Sequence, residues 1–320
     1  MHDSTLNILL TAVVCTVFVS CGGEGGVSDD PAAIFAEATE AYEKGDLVAC
    51  REHLLRATSL DPENPNAWRN LGTVSLDLGL YDDAISAYWM VIEIDSTRVD
   101  VLTDVTGALV GAGRIEEALY TGEMSVQFSP EDGFAFNNYG MALLENGNYE
   151  DAAVCFTTAL RREPGNSSVL YNCGRITQLT GDMEGALAMF QRSEDADPGF
   201  LKARIEIART LGMLERHEEA EEQILSVLAL SPSNTEALNI LAITYSAQGR
   251  FEEAVSVLES ILENDPSNPA SRLGLAECFY SQGDIQNALQ NYRMFVTFVD
   301  DTAATSEISE RIRELEEVCD

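Results

Sequence analysis

Six prolines, Pro62, Pro130, Pro164, Pro198, Pro232 and Pro266, fall on one arithmetic series of step 34, with Ser96 and Asp300 at its two remaining places. Small residues keep the same step at Cys50, Ala84, Ala118, Ala152, Ala186, Ala220, Ala254 and Ala288, and glycines keep it at Gly45, Gly79, Gly113, Gly147, Gly181, Gly249 and Gly283. Eight blocks of 34 residues therefore fill 31–302 without an insertion. A block this short cannot bury an apolar face alone, so the chain is constrained to stack its blocks, each burying its neighbour.

The pattern inside a block specifies the secondary structure. In the seventh, Leu238, Leu241, Ala242 and Tyr245 recur at helical spacing, Gly249 interrupts, and Ala254, Val257, Leu258 and Ile261 begin a second stripe. Gly249 stands where a first helix ends in the left-handed conformation, and Asp265-Pro266 stops the second, since proline cannot continue a helix. The fold class is all-α, a solenoid of helical hairpins. Past the array, Ile308, Ile312, Leu315 and Val318 form one more stripe in a charged stretch, which predicts a capping helix over 303–320.

Period and pattern together resemble the tetratricopeptide repeat. Trp68, Leu71, Gly72, Ala84 and Tyr88 carry its signature in the second block, and Phe136, Tyr139, Gly140, Ala152, Phe156, Ala159 and Pro164 in the fourth. The resemblance implies a superhelix of eight such repeats over 31–302. Two blocks depart from it. The third has Gly122 where others place an aromatic ring, with Gly107 and Gly111 inside its first helix, so it is expected to be the softest. The sixth has Arg204 at the place of Trp68 or Phe136, and Glu215 at the place of the turn glycine, so its turn is expected to be weak.

The N-terminus obeys other rules. Leu6 to Ser20 is an apolar run too short to span a bilayer and of the right length for an export signal. With Cys21 and Gly22-Gly23 it resembles a bacterial lipoprotein signal, although the leading MHDSTLN lacks Lys and Arg. That resemblance implies an export signal over 1–20, a lipid on Cys21, a flexible acidic tether over 21–30, and an outer-membrane lipoprotein facing the periplasm. The membrane is then reached through the N-terminal lipid.

With 19 basic and 54 acidic residues the formal charge is -35, which repels phosphate and excludes nonspecific nucleic-acid binding. Catalytic constellations do not emerge. His53 and His217 are far apart in sequence and read as solvent-facing or satisfied, and HEEAE at His217 lacks the second histidine of a zinc-protease helix. Neither a phosphate-binding loop nor a nucleophile elbow occurs. The expectation is a non-enzyme without a cofactor. Cys50 and Cys173 fall at core positions as small apolar fillers, and Cys155 with Cys173 is the one cysteine pair in adjacent blocks worth weighing as a disulfide.

Function is left to the surface. In the tetratricopeptide family the first helix of each hairpin lines a concave groove that holds extended peptides or partner helices. One slot of that helix carries Asn70, Asn138 and Asn172, with Asn66, Asn137 and Asn239 nearby, similar to the asparagine ladder of repeat-bearing O-linked N-acetylglucosamine transferases. Asp104, Glu206, Ile240 and Gly274 interrupt it. Side-chain amides offer a donor and an acceptor and can grip a peptide backbone without reading its sequence. Arg175, Lys202 and Arg209, from the first helices of blocks five and six, form a local basic spot suited to a partner's carboxylates, or else balance charge within the groove. The reading is a lipid-anchored scaffold or adaptor for a protein or peptide partner, resembling outer-membrane repeat lipoproteins in architecture and anchor. The alternative is a substrate-docking or accessory subunit of an envelope enzyme, such as a glycosyltransferase or cell-wall hydrolase.

Overall fold

Helices begin at two fixed phases of the repeat. The first helices are α1 (Pro31–Glu43), α3 (Pro65–Asp77), α5 (Leu102–Gly111, entered through a 3-10 turn at Val99–Val101), α7 (Gly133–Glu145), α9 (Ser167–Leu179), α11 (Leu201–Met213), α13 (Thr235–Ala247) and α15 (Pro269–Ser281). Each is followed by its second helix: α2 (Leu47–Leu60), α4 (Tyr81–Ile94), α6 (Ile115–Phe128), α8 (Tyr149–Arg162), α10 (Met183–Ala196), α12 (His217–Leu230), α14 (Phe251–Asn264) and α16 (Ile285–Phe298). A last helix, α17, spans Thr302–Cys319. The computed structural model describes residues 30–299 and 302–319, and among these the chain is all-helical, with no strand. The export signal, Cys21 and the tether to residue 29 lie outside the described residues. No described helix is long and apolar enough to cross a membrane.

Contacts divide the chain after Pro164 into two compact units. In each, a helix packs on its hairpin partner and on the start of the next hairpin. Consecutive first helices also touch, α5 with α7 in the first unit, and α11 with α13 and α13 with α15 in the second, so the first helices form a layer of their own.

Local chemistry accounts for the helix ends. Asn166, Asn234 and Asn268 cap first helices by accepting the backbone N–H three residues on, at 3.1, 2.9 and 3.0 Å. Before second helices Asp46, Asp182 and Asp284 do the same. Arg114, Arg216 and Arg250 hold that place elsewhere and instead pair with Glu117, Glu219 and Glu253, whose charge suits the helix start. Between hairpin helices all seven turn glycines have φ between 72° and 89°. Glu215 takes the same left-handed conformation at φ 59°, and the turn closes with the usual long-range bond, Arg216 N–H to Leu211 O at 2.9 Å. The turn expected to be weak is thus formed like the others.

Packing within most hairpins follows a size rule, from which the eighth departs by setting the buried Tyr292 ring opposite Ala276. The rings of Tyr88, Phe156 and Phe190 lie so close on Gly72, Gly140 and Gly174 that a Cβ there would stand 2.5, 2.8 and 2.5 Å from ring carbons. Where the first-helix residue is Ala38, Ala208 or Ala242, its second-helix counterpart is the aliphatic Leu54, Ile224 or Leu258, all buried. The third repeat inverts the rule: the corresponding residues are Thr106, whose hydroxyl donates to Thr121 Oγ1 at 3.1 Å, and Gly122, which Tyr139 from α7 covers. Gly111 likewise makes room for the Tyr81 ring, and Gly107 for the Asn138 amide. These three glycines, expected to soften the repeat, are sites of close packing.

Arg204, at the place of Trp68, reaches Glu194 at 2.8 Å. At the array's end Ile308, Ile312 and Leu315 of α17 pack on Ala276, Ala288, Leu289 and Tyr292, and the Arg311 guanidinium lies 4.6 Å from the centre of the Tyr280 ring. The apolar stripe therefore closes the last hairpin. Cys50, Cys155, Cys173 and Cys278 are buried thiols, so Cys155 and Cys173, the pair weighed as a disulfide, are not joined in this structure, and desolvation pushes both up to about 11.

Candidate functional site

The first-helix layer of the second unit carries the three basic residues singled out in sequence. Lys202, in the first turn of α11, is exposed, whereas Arg175 on α9 and Arg209 on α11 are half-buried. Arg209 is held from both sides: its Nε lies 3.3 Å from Glu206 and its Nη2 2.5 Å from Glu236 on α13. Burial raises the Glu206 carboxyl above its ordinary range, with Arg209 and Arg175 pulling it back and Glu236 pushing it further. The same groups surround Tyr171, whose hydroxyl is raised mainly by burial and whose ring packs edge-on against Phe200 at 5.3 Å. The basic spot is thus a charge-balanced cluster at Arg209.

Beside the cluster runs an apolar strip that sequence reasoning missed. Leu179 is 56%, Met213 56% and Ile243 68% exposed, on α9, α11 and α13. Met213, Ile243 and Ala247 line a cavity of about 290 Å³ into which Arg209 also projects, and Gln178 reaches toward the Met213 sulfur at 3.8 Å. His217 lines this cavity too, with its Nδ1 buried and unpartnered. The signal was available, because Leu179, Met213 and Ala247 form one series of step 34, and Arg175, Arg209 and Ile243 another.

The asparagine slot divides three ways. Asn70 is exposed. Asn138 is half-buried and donates from Nδ2 to the Thr103 carbonyl of the preceding first helix at 2.9 Å, while Asn172 is 4% exposed. Asp104, one of the interruptions, receives Arg69 at 2.8 Å, and Arg69 also reaches Asp100 at 2.9 Å. Burial raises Asp104 above its ordinary value, opposed by Arg69. His53 on α2 approaches Glu37 on α1 at 3.3 Å.

The tetratricopeptide repeat profile matches residues 35–97, 139–199, 205–269 and 241–301, together more than half of the chain. The chain belongs to the tetratricopeptide repeat family. Among curated proteins it is 26% identical over 191 residues to the BBSome complex member BBS4 of Bos taurus, covering 60% of this chain and 37% of that protein. It is 22% identical over 187 residues to tetratricopeptide repeat protein 8 of Caenorhabditis elegans, covering 58% and 36%. The chain thus spans well under half the length of these relatives. Among solved structures, the Cut9-Hcn1 assembly of the APC/C superposes with a TM-score of 0.70 at 13% identity, over 90% of this chain and 57% of that one. A tetratricopeptide repeat protein from Parabacteroides merdae superposes with a TM-score of 0.55 at 16% identity, over 88% and 98%. These likenesses establish the repeat fold, and a fold of this family is suited to protein–protein interaction.

Proposed function

We propose that this protein is a scaffold or adaptor that holds an extended or helical segment of a partner protein on the first-helix layer of its second unit. The observation that carries the reading is the exposed strip of Leu179, Met213 and Ile243 beside the Arg209 cluster, large apolar side chains left bare on a chain of charge -35. The partner segment contributes apolar side chains to the strip and a carboxylate to Arg175, Lys202 and the further N–H donors of Arg209. Asn70 and Asn138 on the first unit and Asn172 on the second share one slot of their first helices, and Asn70 is the exposed one of the three, with its amide open to a peptide backbone. The apolar run Leu6 to Ser20 and the Ser20-Cys21-Gly22 junction support the further proposal of export and a lipid on Cys21, with the scaffold at the outer membrane facing the periplasm.

In-cell cross-linking from a photoreactive residue at position 213 identifies the partner. Met213→Asp with Ile243→Asp, and separately the charge reversal of Arg175, Lys202 and Arg209 to Glu, should each weaken capture while circular dichroism stays native. Undiminished capture by both well-folded variants moves the interaction off this face. For the anchor, Cys21→Ala should abolish lipid labelling and release the protein to the soluble fraction, and unchanged membrane association sinks the lipoprotein reading.

A further inference from the structure

Between α1, α2 and α3 of the first unit lies an open cavity of about 190 Å³, separate from the Arg209 strip. Ala38, Cys50, Leu54 and Val74, all nearly fully buried, form its floor, and the aromatic side chains of Phe35 and Tyr42 its walls. Tyr42 is 49% exposed. The rim is polar and uncharged, with Thr39, Asn70 and Thr73 all exposed. No charged residue lines the cavity, although the chain carries 54 acids.

The second repeat explains why the space exists. There Tyr88 reaches from α4 across bare Gly72 and sets its hydroxyl 3.3 Å from Thr73 Oγ1, filling the gap between its hairpin helices with a ring. The corresponding residues of the first repeat are Leu54, Ala38 and Thr39, one period earlier, and all three line the cavity. Leucine stops short of where the tyrosine ring runs, so the first repeat leaves open the volume that the second fills for itself.

We propose that this cavity is a socket for one aromatic side chain, tyrosine or phenylalanine, of a bound partner peptide. The proposal rests on the scaffold reading and adds a specificity pocket on the other unit. An apolar cavity of about 150 Å³ is enough to take benzene, so one of this size accepts a single ring. A cationic side chain is excluded despite the negative chain, because the lining offers it no carboxylate in exchange for its lost hydration. The rim supplies the polar half of the recognition: Thr39 stands where Thr73 meets the Tyr88 hydroxyl, and the exposed Asn70 amide can donate to and accept from the peptide backbone beside the ring.

The pocket is read first without any partner, on the full chain. In methyl-resolved NMR, 4-methylphenol should shift Leu54 and Val74 saturably with a dissociation constant on the order of 1 mM, whereas n-butylammonium should not. The double variant Ala38→Gly/Leu54→Tyr installs the second repeat's own pairing, fills the space from within and should abolish the shift. The same variant should weaken capture of the cross-linked partner by about tenfold or more, as loss of a buried aromatic anchor does. Absence of 4-methylphenol shifts, or preference for the amine, overturns the socket while leaving the scaffold reading untouched. Probe binding with undiminished capture by the folded double variant overturns its role in partner recognition. A chain that captures no partner even in wild-type form instead removes the scaffold reading, a result the 4-methylphenol titration does not depend on.

Discussion

Replacing Glu215 by glycine should stabilise the sixth repeat. Glu215 occupies the left-handed region at φ 59°, where the other hairpins place glycine. For an L-residue this conformation costs about 1–2 kcal/mol, while glycine gives back roughly 0.5–1 kcal/mol through its more flexible unfolded chain. The net expectation is a gain of about 0.5–1 kcal/mol, since the Glu215 side chain is exposed and the turn bonds are made by the backbone. The reverse change is Gly249→Ala in the next hairpin: φ is 74° and an added Cβ meets nothing within 4 Å, so a loss of about 1 kcal/mol there is pure backbone cost. Removing a negative charge from so acidic a chain is a separate effect, and Glu215→Gln isolates it by keeping the strain. Because repeats open locally, native-state hydrogen exchange at the Arg216 amide and its neighbours is the readout, with urea titration of the whole chain beside it. A Glu215→Gly variant that exchanges no more slowly than Glu215→Gln would refute the strain argument.

Three further outcomes follow from packing and charge. Gly122→Ala should cost about 1–3 kcal/mol despite alanine's better helix propensity, because its Cβ would stand 2.6 Å from the Tyr139 ring and 3.1 Å from Tyr139 Cβ; a rise in urea midpoint would restore the view that this glycine only softens the repeat. Deleting Thr302 to Asp320 should uncover Leu289 and Tyr292 and cause self-association in light scattering, and a truncated chain that stays monomeric with an unchanged melting temperature contradicts the cap. Asp104 has a native pKa raised by burial, so the native state binds its proton more tightly and gains stability as pH falls through that raised value toward the ordinary ~3.9. Asp104→Asn lacks this gain, so the urea midpoint of wild type should rise relative to that of the variant as pH falls from neutral toward ~4; a relative midpoint constant over that fall tells against a raised carboxyl at Asp104.

The repeat phase made nearly all of the helical layout legible, because a glycine or proline repeated every 34 residues fixes where each helix stops, whatever else the block contains. Single glycines were read less well. Gly107, Gly111 and Gly122 take their meaning from Asn138, Tyr81 and Tyr139, all outside the third repeat, so propensity within one block pointed to softness where packing was close. At Glu215 the turn forms despite the backbone cost of its side chain, because the bond from Arg216 N–H to Leu211 O closes it as in the other hairpins. At the site, rarity of positive charge made Arg175 and Arg209 conspicuous. Periodicity gave the slot of Asn138 and Asn172 but not their burial, which depends on neighbours outside the block.

The slot that carries Asn70 in the second repeat carries Asp104 in the third and Glu206 in the sixth, and in both cases an arginine meets the acid, Arg69 and Arg209. Both carboxyls are raised by burial, so each arginine offsets a desolvation cost within the fold before it meets any partner. A partner's carboxylate approaching Arg209 therefore competes with carboxylates already in place. Glu206, whose side chain is 15% exposed, is fixed by its surroundings, whereas Glu236, at 53%, is free to turn away into water. The available step is an exchange at Glu236, one exposed ion pair for another, and such pairs contribute roughly 0–1 kcal/mol. On the proposed reading charge orients the partner, while most of the affinity comes from covering Leu179, Met213 and Ile243. On this reasoning Met213→Asp with Ile243→Asp should weaken capture more than charge reversal does, and added salt should weaken wild-type capture only slightly.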